Sequence, residues 1–136
     1  MGTGYLLDSN VIIGYLAGQL PEPGTEAVSG IIDAAPRISV ISQIEILRFT
    51  DTPENERILE DFVNAAIIHP LTEPVVHRTI ALCKQSRIKL PDAIIASTAL
   101  TENFVLVTRN TSDLKNIPNL ELLNPWEIKE EKANKD

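Results

Sequence analysis

The 136-residue sequence predicts an α/β fold: one three-layer domain with a central, mostly parallel sheet of about five strands and helices on both faces. Three observations carry this reading. Short apolar runs alternate with helical stretches from end to end, which calls for right-handed crossovers between parallel strands. Phe104-Val105-Leu106-Val107-Thr108 has no polar alternation and reads as an interior strand covered on both sides. Ala93 to Leu100 is so uniformly small and apolar that it reads as a buried central helix.

In chain order, Tyr5-Leu6-Leu7 is a strand ending at Asp8, and Val11-Ile12-Ile13 with Tyr15-Leu16 gives a helical stripe halted at Gly18. Pro21 to Gly24 reads as a loop. Ala27, Val28, Ile31 and Ile32 then form one face of a helix closed by Pro36, and Arg37 to Val40 alternates as a short strand. Ser42-Gln43-Ile44-Glu45 matches a capping box, placing a helix start at Ser42 and its last turn at Thr50. A further helix starts at Pro53, with Ile58, Leu59, Phe62 and Val63 on one face. Ile67 to Leu71 is strand-like, and Pro70 ends it or places it on an edge. The helix near Pro74 is expected to bury Val75, Val76, Ile80, Leu82 and Cys83. Leu120 to Leu123 is a weaker edge strand.

Residues 1–128 read as the domain and residues 129–136 as a charged, flexible C-terminal tail. With 43% hydrophobic and 23% charged residues, the composition is that of a folded globular chain and excludes disorder. The lone Cys83 has no thiol to pair with, which fits a reducing cytoplasm. No apolar run approaches the roughly 18 residues of a membrane span, and no secretory leader is recognisable. A formal charge of −7 argues against nonspecific attraction to nucleic acid, so any nucleic-acid substrate must be held locally, with metal ions helping.

Four acids stand where a parallel α/β domain gathers its strand and helix ends: Asp8, Glu45, Asp92 and Asp113. Each has a purely structural alternative. Asp8 or Ser9 could cap the first helix, although Ser9 or Asn10 in that role would leave Asp8 free for a cation. The Ser42 capping box would account for Glu45, and Asp92 could cap or complement the dipole of its helix. Asp113 lies in the polar turn Asn110-Thr111-Ser112-Asp113. If the four converge, the cluster needs a divalent ion to discharge it, and Mg²⁺ would accept such oxygen ligands without histidine. His69 and His77 accompany no serine or cysteine nucleophile motif and read as structural.

Leu7-Asp8-Ser9-Asn10-Val11-Ile12, Ile44-Glu45-Ile46-Leu47-Arg48-Phe49, Leu90-Pro91-Asp92-Ala93-Ile94-Ile95-Ala96, Leu106-Val107-Thr108-Arg109-Asn110-Thr111-Ser112-Asp113 and Asn124-Pro125-Trp126 together resemble PIN-domain ribonucleases of the VapC toxin type. The resemblance covers nearly the whole chain. It implies that Asp8, Glu45, Asp92 and Asp113 bind Mg²⁺ or Mn²⁺ as the catalytic set, with Ser9, Thr108 and Asn110 in support. Ser9 stands where threonine is common and Leu114 where phenylalanine is usual, which keeps a hydroxyl and an apolar anchor. In some relatives the last acid lies nearer the Asn110 position, so Asp113 or a neighbour of Asn110 completes the set. The resemblance further implies metal-dependent hydrolysis of RNA, a cognate antitoxin and a homodimer, and no membrane. Arg48 and Arg109 are the candidate phosphate contacts, with Arg87 and Lys89 beside them.

Two enzymatic rivals fail on residue identity. A haloacid-dehalogenase-type phosphatase needs a second Asp where Asn10 stands, and a receiver domain needs an acceptor Asp after Ile67 to Leu71. The rival of another class is a PIN-like binding module or a housekeeping nuclease regulated by a partner.

Overall fold

The computed structural model describes residues 4–129. The expected charged tail, apart from Lys129, lies outside the described residues. The elements run β1 (Tyr5–Leu7), α1 (Ser9–Leu16), α2 (Glu22–Ala34), β2 (Arg37–Ser39), α3 (Val40–Leu47), α4 (Pro53–Ala65), β3 (Ile67–His69), α5 (Glu73–Gln85), α6 (Leu90–Glu102), β4 (Val105–Val107), α7 (Thr111–Leu114) and β5 (Leu122–Leu123). The five strands form one sheet in the order β3-β2-β1-β4-β5, every pair parallel.

The sheet separates two apolar layers, and the two-residue period of the strands decides which side chain enters which. Leu7 and Val107 face the layer built from Val11, Ile12, Val28, Ile38, Ile46, Leu59 and Val63, on the side of α1 to α4. Leu6 and Leu106 face the opposite layer, with Leu82, Ile95, Ala96, Ala99, Leu114 and Ile117. Both sides of β1 and β4 are therefore covered, which is why these strands carry continuous apolar runs.

After β1 the chain builds outward to β2 and β3, then returns through α6 to place β4 on the other flank of β1. Beyond the C-terminal ends of β1 and β4 the crossovers diverge, and that is where open parallel sheets leave a crevice for chemistry. The ladder continues one residue past the strands, with the Asp8 N–H donating to the Val107 carbonyl at 2.9 Å. Asp8 and Thr108 thus emerge side by side.

Several local expectations are corrected. Residues 22–24 belong to α2, because Pro23 fits the first helical turn, where its missing N–H costs nothing. Gly24 is required there, since a Cβ would collide with the Pro125 carbonyl oxygen. On α5 the buried face is Val75, Thr79 and Leu82, while Val76 and Ile80 are 36% and 49% exposed and Cys83 is exposed too. The apolar residues of this helix outnumber the positions that face α6. Ile58 on α4 is likewise exposed.

The capping box at Ser42 does not form. α3 begins two residues earlier, with Ser39 as its cap: the Ser39 hydroxyl accepts the Ile41 N–H at 3.0 Å. Ser42 is fully buried inside the helix and its hydroxyl has no protein partner. Helix α3 also closes at Leu47, short of Thr50. A matched pair of substitutions tests this register by thermal or urea denaturation. Ser39→Ala should cost about 0.5–2 kcal/mol through loss of the cap, whereas Ser42→Ala should be neutral or stabilising because it removes an unsatisfied buried hydroxyl. The reverse ranking would restore the capping box.

Candidate active site

The buried Asp8 carboxylate accepts three hydrogen bonds. Asp8 caps α1 itself, with extended backbone (φ −78°, ψ 156°), and its Oδ1 accepts the Ser9 N–H at 2.8 Å. The proposed division of labour, with Ser9 or Asn10 capping and Asp8 free, is therefore corrected: one carboxylate oxygen caps and the other remains. That second oxygen, Oδ2, accepts the Thr108 hydroxyl at 2.7 Å and the Asn10 side-chain amide at 3.3 Å. Thr108 in turn accepts the Asn110 N–H at 3.0 Å, which orients its own proton toward Asp8.

Glu45 projects from α3, and its Oε1 accepts the Ser9 hydroxyl at 2.7 Å. With the cap assigned to Ser39, no capping role remains for this carboxylate. Asp92 lies in the first turn of α6, whose cap residue is Lys89 and which has no side-chain capping bond, so Asp92 is not a cap either. Its Oδ2 accepts the Asn110 side-chain amide at 3.2 Å. The pairings Ser9 to Glu45, Thr108 to Asp8 and Asn110 to Asp92 give each of these acids a neutral donor.

Asp113 sits in the single-turn helix α7 and is exposed. It reaches the group only through its charge, which helps hold the Asp92 carboxyl above the ordinary value. Asn10, which sequence reasoning treated only as a cap, ties the two strand ends together: it donates to Asp8 and its Oδ1 accepts the Arg109 N–H at 3.3 Å. Its position two residues after Asp8 was the available signal.

The electrostatics follow from burial. Asp8 is 5% exposed, and desolvation lifts its pKa from 3.8 to about 6, against the lowering effect of the Thr108 and Ser9 hydrogen bonds. The charges of Glu45 and Asp92 push it further up. Burial also raises Asp92, with Glu45 and Asp113 adding to the shift and Lys89 opposing it. Among the described residues, no three His, Cys, Asp or Glu side chains are drawn together tightly enough to enclose a metal ion. The acids are instead held on hydroxyl and amide donors within electrostatic reach of each other. The donor set is all carboxylate oxygen, which suits a hard cation such as Mg²⁺ or Mn²⁺ and not a thiolate-seeking one.

Of the basic candidates, Arg48 is the exposed C-cap residue of α3, and Arg109 lays its guanidinium over the Trp126 ring at 4.5 Å. Arg87 and Lys89 are exposed between α5 and α6. Neither histidine joins the acids: His77 lies 3.7 Å from Glu73 along α5, and His69 packs edge-on against Phe104.

The PIN domain profile matches residues 5–120, a span that contains all four acids. The chain belongs to the PIN domain family. Solved structures agree: a toxin–antitoxin complex from Klebsiella pneumoniae is 27% identical, with a TM-score of 0.72 over 92% of this chain and 100% of that one. VapBC2 from Rickettsia felis, bound to a DNA fragment from its promoter, is 25% identical (TM-score 0.72, 88% and 97% covered). VapBC-1 from nontypeable Haemophilus influenzae is 26% identical (TM-score 0.71, 89% and 97% covered). No curated protein matches. The resemblance to VapC-type PIN domains is thus shown at the level of family and fold. No helix among the described residues is long and apolar enough to cross a membrane.

Burial of Asp8 makes stability depend on pH in a defined direction. The folded chain holds the Asp8 proton to about pH 6, whereas the unfolded carboxyl releases it near 3.8. The stabilisation from protonation is complete below about pH 4 and is lost as the pH rises to about 6, by up to roughly 3 kcal/mol. In chelator-treated protein, urea denaturation across this window should show falling stability, and Asp8→Asn should flatten the fall. Stability that climbs through the same window in the wild type would contradict the assignment.

Proposed function

We propose that this chain is the toxin of a toxin–antitoxin pair and acts in the cytoplasm as an endoribonuclease that hydrolyses RNA phosphodiester bonds with Mg²⁺ or Mn²⁺. The observation that carries the reading is the buried Asp8 carboxylate, whose charge is opposed by desolvation and by the neighbouring charges of Glu45 and Asp92. Such a group is poorly placed without a cation and well placed with one.

Asp8, Glu45 and Asp92 are the residues to hold the ion, with exposed Asp113 at the edge of the set. A divalent ion bound there would neutralise the acids, polarise a phosphoryl oxygen and lower the pKa of a water. The chain's own residues do the rest. Thr108 and Ser9 hold the carboxylates of Asp8 and Glu45 in place, and Asn110 holds Asp92. Arg48 and Arg109 are exposed residues whose guanidinium groups would meet phosphate oxygens, that of Arg109 from its stack on Trp126.

The proposal extends to partners. The similarity to the toxin–antitoxin complex from Klebsiella pneumoniae and to VapBC-1 supports an antitoxin chain as the class of partner. Exposed Phe49 and Ile58, with Ile13 and Leu16, line a small apolar cleft beside α1 that would accept apolar side chains of such a partner. A second copy of this chain is proposed as a further partner, for which the exposed Val76 and Ile80 on α5 are available.

Purified chain incubated with tRNA should yield discrete cleavage products with Mg²⁺ or Mn²⁺ and none with a chelator. Asp8→Ala and Asp92→Ala should abolish the products, while Thr108→Val and Asn110→Ala should lower activity or metal affinity by about 10–100-fold as the residues that orient those acids. Asp113→Asn should cost less than Asp92→Asn. Cleavage that survives chelation or Asp92→Ala would sink the proposal, and a chain inert toward every RNA would favour the binding-module alternative.

A further inference from the structure

Helix α3 ends at Leu47, and the next residue, Arg48, keeps helical backbone (φ −86°, ψ −5°). The Arg48 and Phe49 N–H groups still bond back to Ile44 and Ile46. The chain therefore presents Arg48 and Phe49 from a fixed helix end and not from a free loop. Phe49 is 40% exposed, so the core makes incomplete use of its ring. The ring borders a groove of about 440 Å³ lined by Ser9, Ile13, Glu45, Arg48, Phe49 and Thr50. That volume falls within the roughly 300–1,000 Å³ of small-ligand sites. Two of the six lining residues, Ser9 and Glu45, are the hydrogen-bonded pair of the site itself. Whatever enters the groove lies against Glu45 and the Ser9 hydroxyl bound to it.

The chemistry of the lining is mixed. It offers an aromatic face, a guanidinium with no ion-pair partner among the described residues, two hydroxyls and a carboxylate. An apolar peptide side chain would use only the first of these. A nucleotide uses all of them, its base on the ring, its phosphate on the guanidinium and its sugar hydroxyls on the polar wall. In a chain of net charge −7, one cation next to one exposed ring is also the kind of local hold an RNA strand needs.

The geometry points to Phe49 and Arg48 as a binding subsite for one unpaired nucleotide flanking the cleaved bond, with the base stacked on Phe49. This rests on the ribonuclease reading above. A base in a duplex has both faces occupied, so the subsite selects single-stranded or loop RNA.

The test uses full-length chain carrying Asp92→Asn, to leave RNA uncut, and a single-stranded RNA with 2-aminopurine scanned along it. One position should lose fluorescence on binding as it stacks. Phe49→Leu, which keeps apolar bulk but no ring, should abolish that quenching and weaken binding about 5- to 150-fold; Phe49→Trp should preserve both. Arg48→Gln should reduce the salt dependence of binding by about one phosphate contact. Thermal melts identify any variant that has not folded, and the Trp and Gln variants then carry the test. Quenching and affinity unchanged in Phe49→Leu, or equal affinity for fully duplexed RNA, would overturn the subsite while leaving metal-dependent cleavage intact. Loss of an antitoxin-like apolar peptide in Phe49→Leu with RNA binding unaffected would assign the ring to a protein partner and also overturn it. A parent chain that neither binds nor cuts RNA would remove the ribonuclease reading and the subsite together.

Discussion

The hydrogen bond from the Thr108 hydroxyl to the Asp8 carboxylate joins residues a hundred positions apart at the ends of two adjacent parallel strands. It exists because β4 returns to pair with β1 after the chain has built the other half of the sheet, so that Tyr5, Leu6 and Leu7 align with Val105, Leu106 and Val107. Leucine and valine on both faces bury these strands, and the first polar residue of each must appear at the same edge. An acid emerging from so apolar a sheet keeps little contact with bulk water, and Asp8 is only 5% exposed. Its solvation has to come from Thr108, Ser9 and Asn10, and these neutral donors only partly replace it.

The same edge gathers the other acids by way of helices. Helix α3 packs beside α1 and delivers Glu45 to Ser9, and the first turn of α6 delivers Asp92 to Asn110. Every donor in the group comes from the two segments that follow β1 and β4, residues 8–10 and 108–110. The site is therefore a property of one strand pair, with the helices contributing charge to it. That arrangement concentrates negative potential in a small volume of low dielectric, which together with burial explains the upward shifts at Asp8 and Asp92.

Most of this architecture was legible in the residues. The uniform apolar runs announced buried strands, the small residues of α6 announced a central helix, and the four acids stood at element ends. What escaped was finer and has a common origin. Ser42 satisfied a local motif, yet both serines are fully buried and the cap falls to Ser39, whose extended backbone ends β2; a sequence pattern cannot say at which of two nearby serines the strand gives way to the helix. Val76, Ile80 and Cys83 looked like core because they are apolar, but α5 is contacted on one side only. Asp8 was read as either cap or ligand, and the structure shows it capping through one oxygen while the other accepts the Thr108 hydroxyl. The pairing of Asn10 with Arg109 was beyond reach without the strand order.

Burial and the neighbouring acids hold the Asp8 carboxyl against its charge, and the proposed cation would relieve that opposition. Carboxyl-carbon NMR of selectively labelled protein, with Asp8→Asn to assign the resonance, reads that state directly. In metal-free protein the Asp8 carboxyl should titrate near pH 6, and Mg²⁺ or Mn²⁺ analogue binding by a diamagnetic ion should drive its midpoint below the ordinary 3.8. A midpoint near 3.8 without metal, or one that does not move when the ion is added, would contradict this reading.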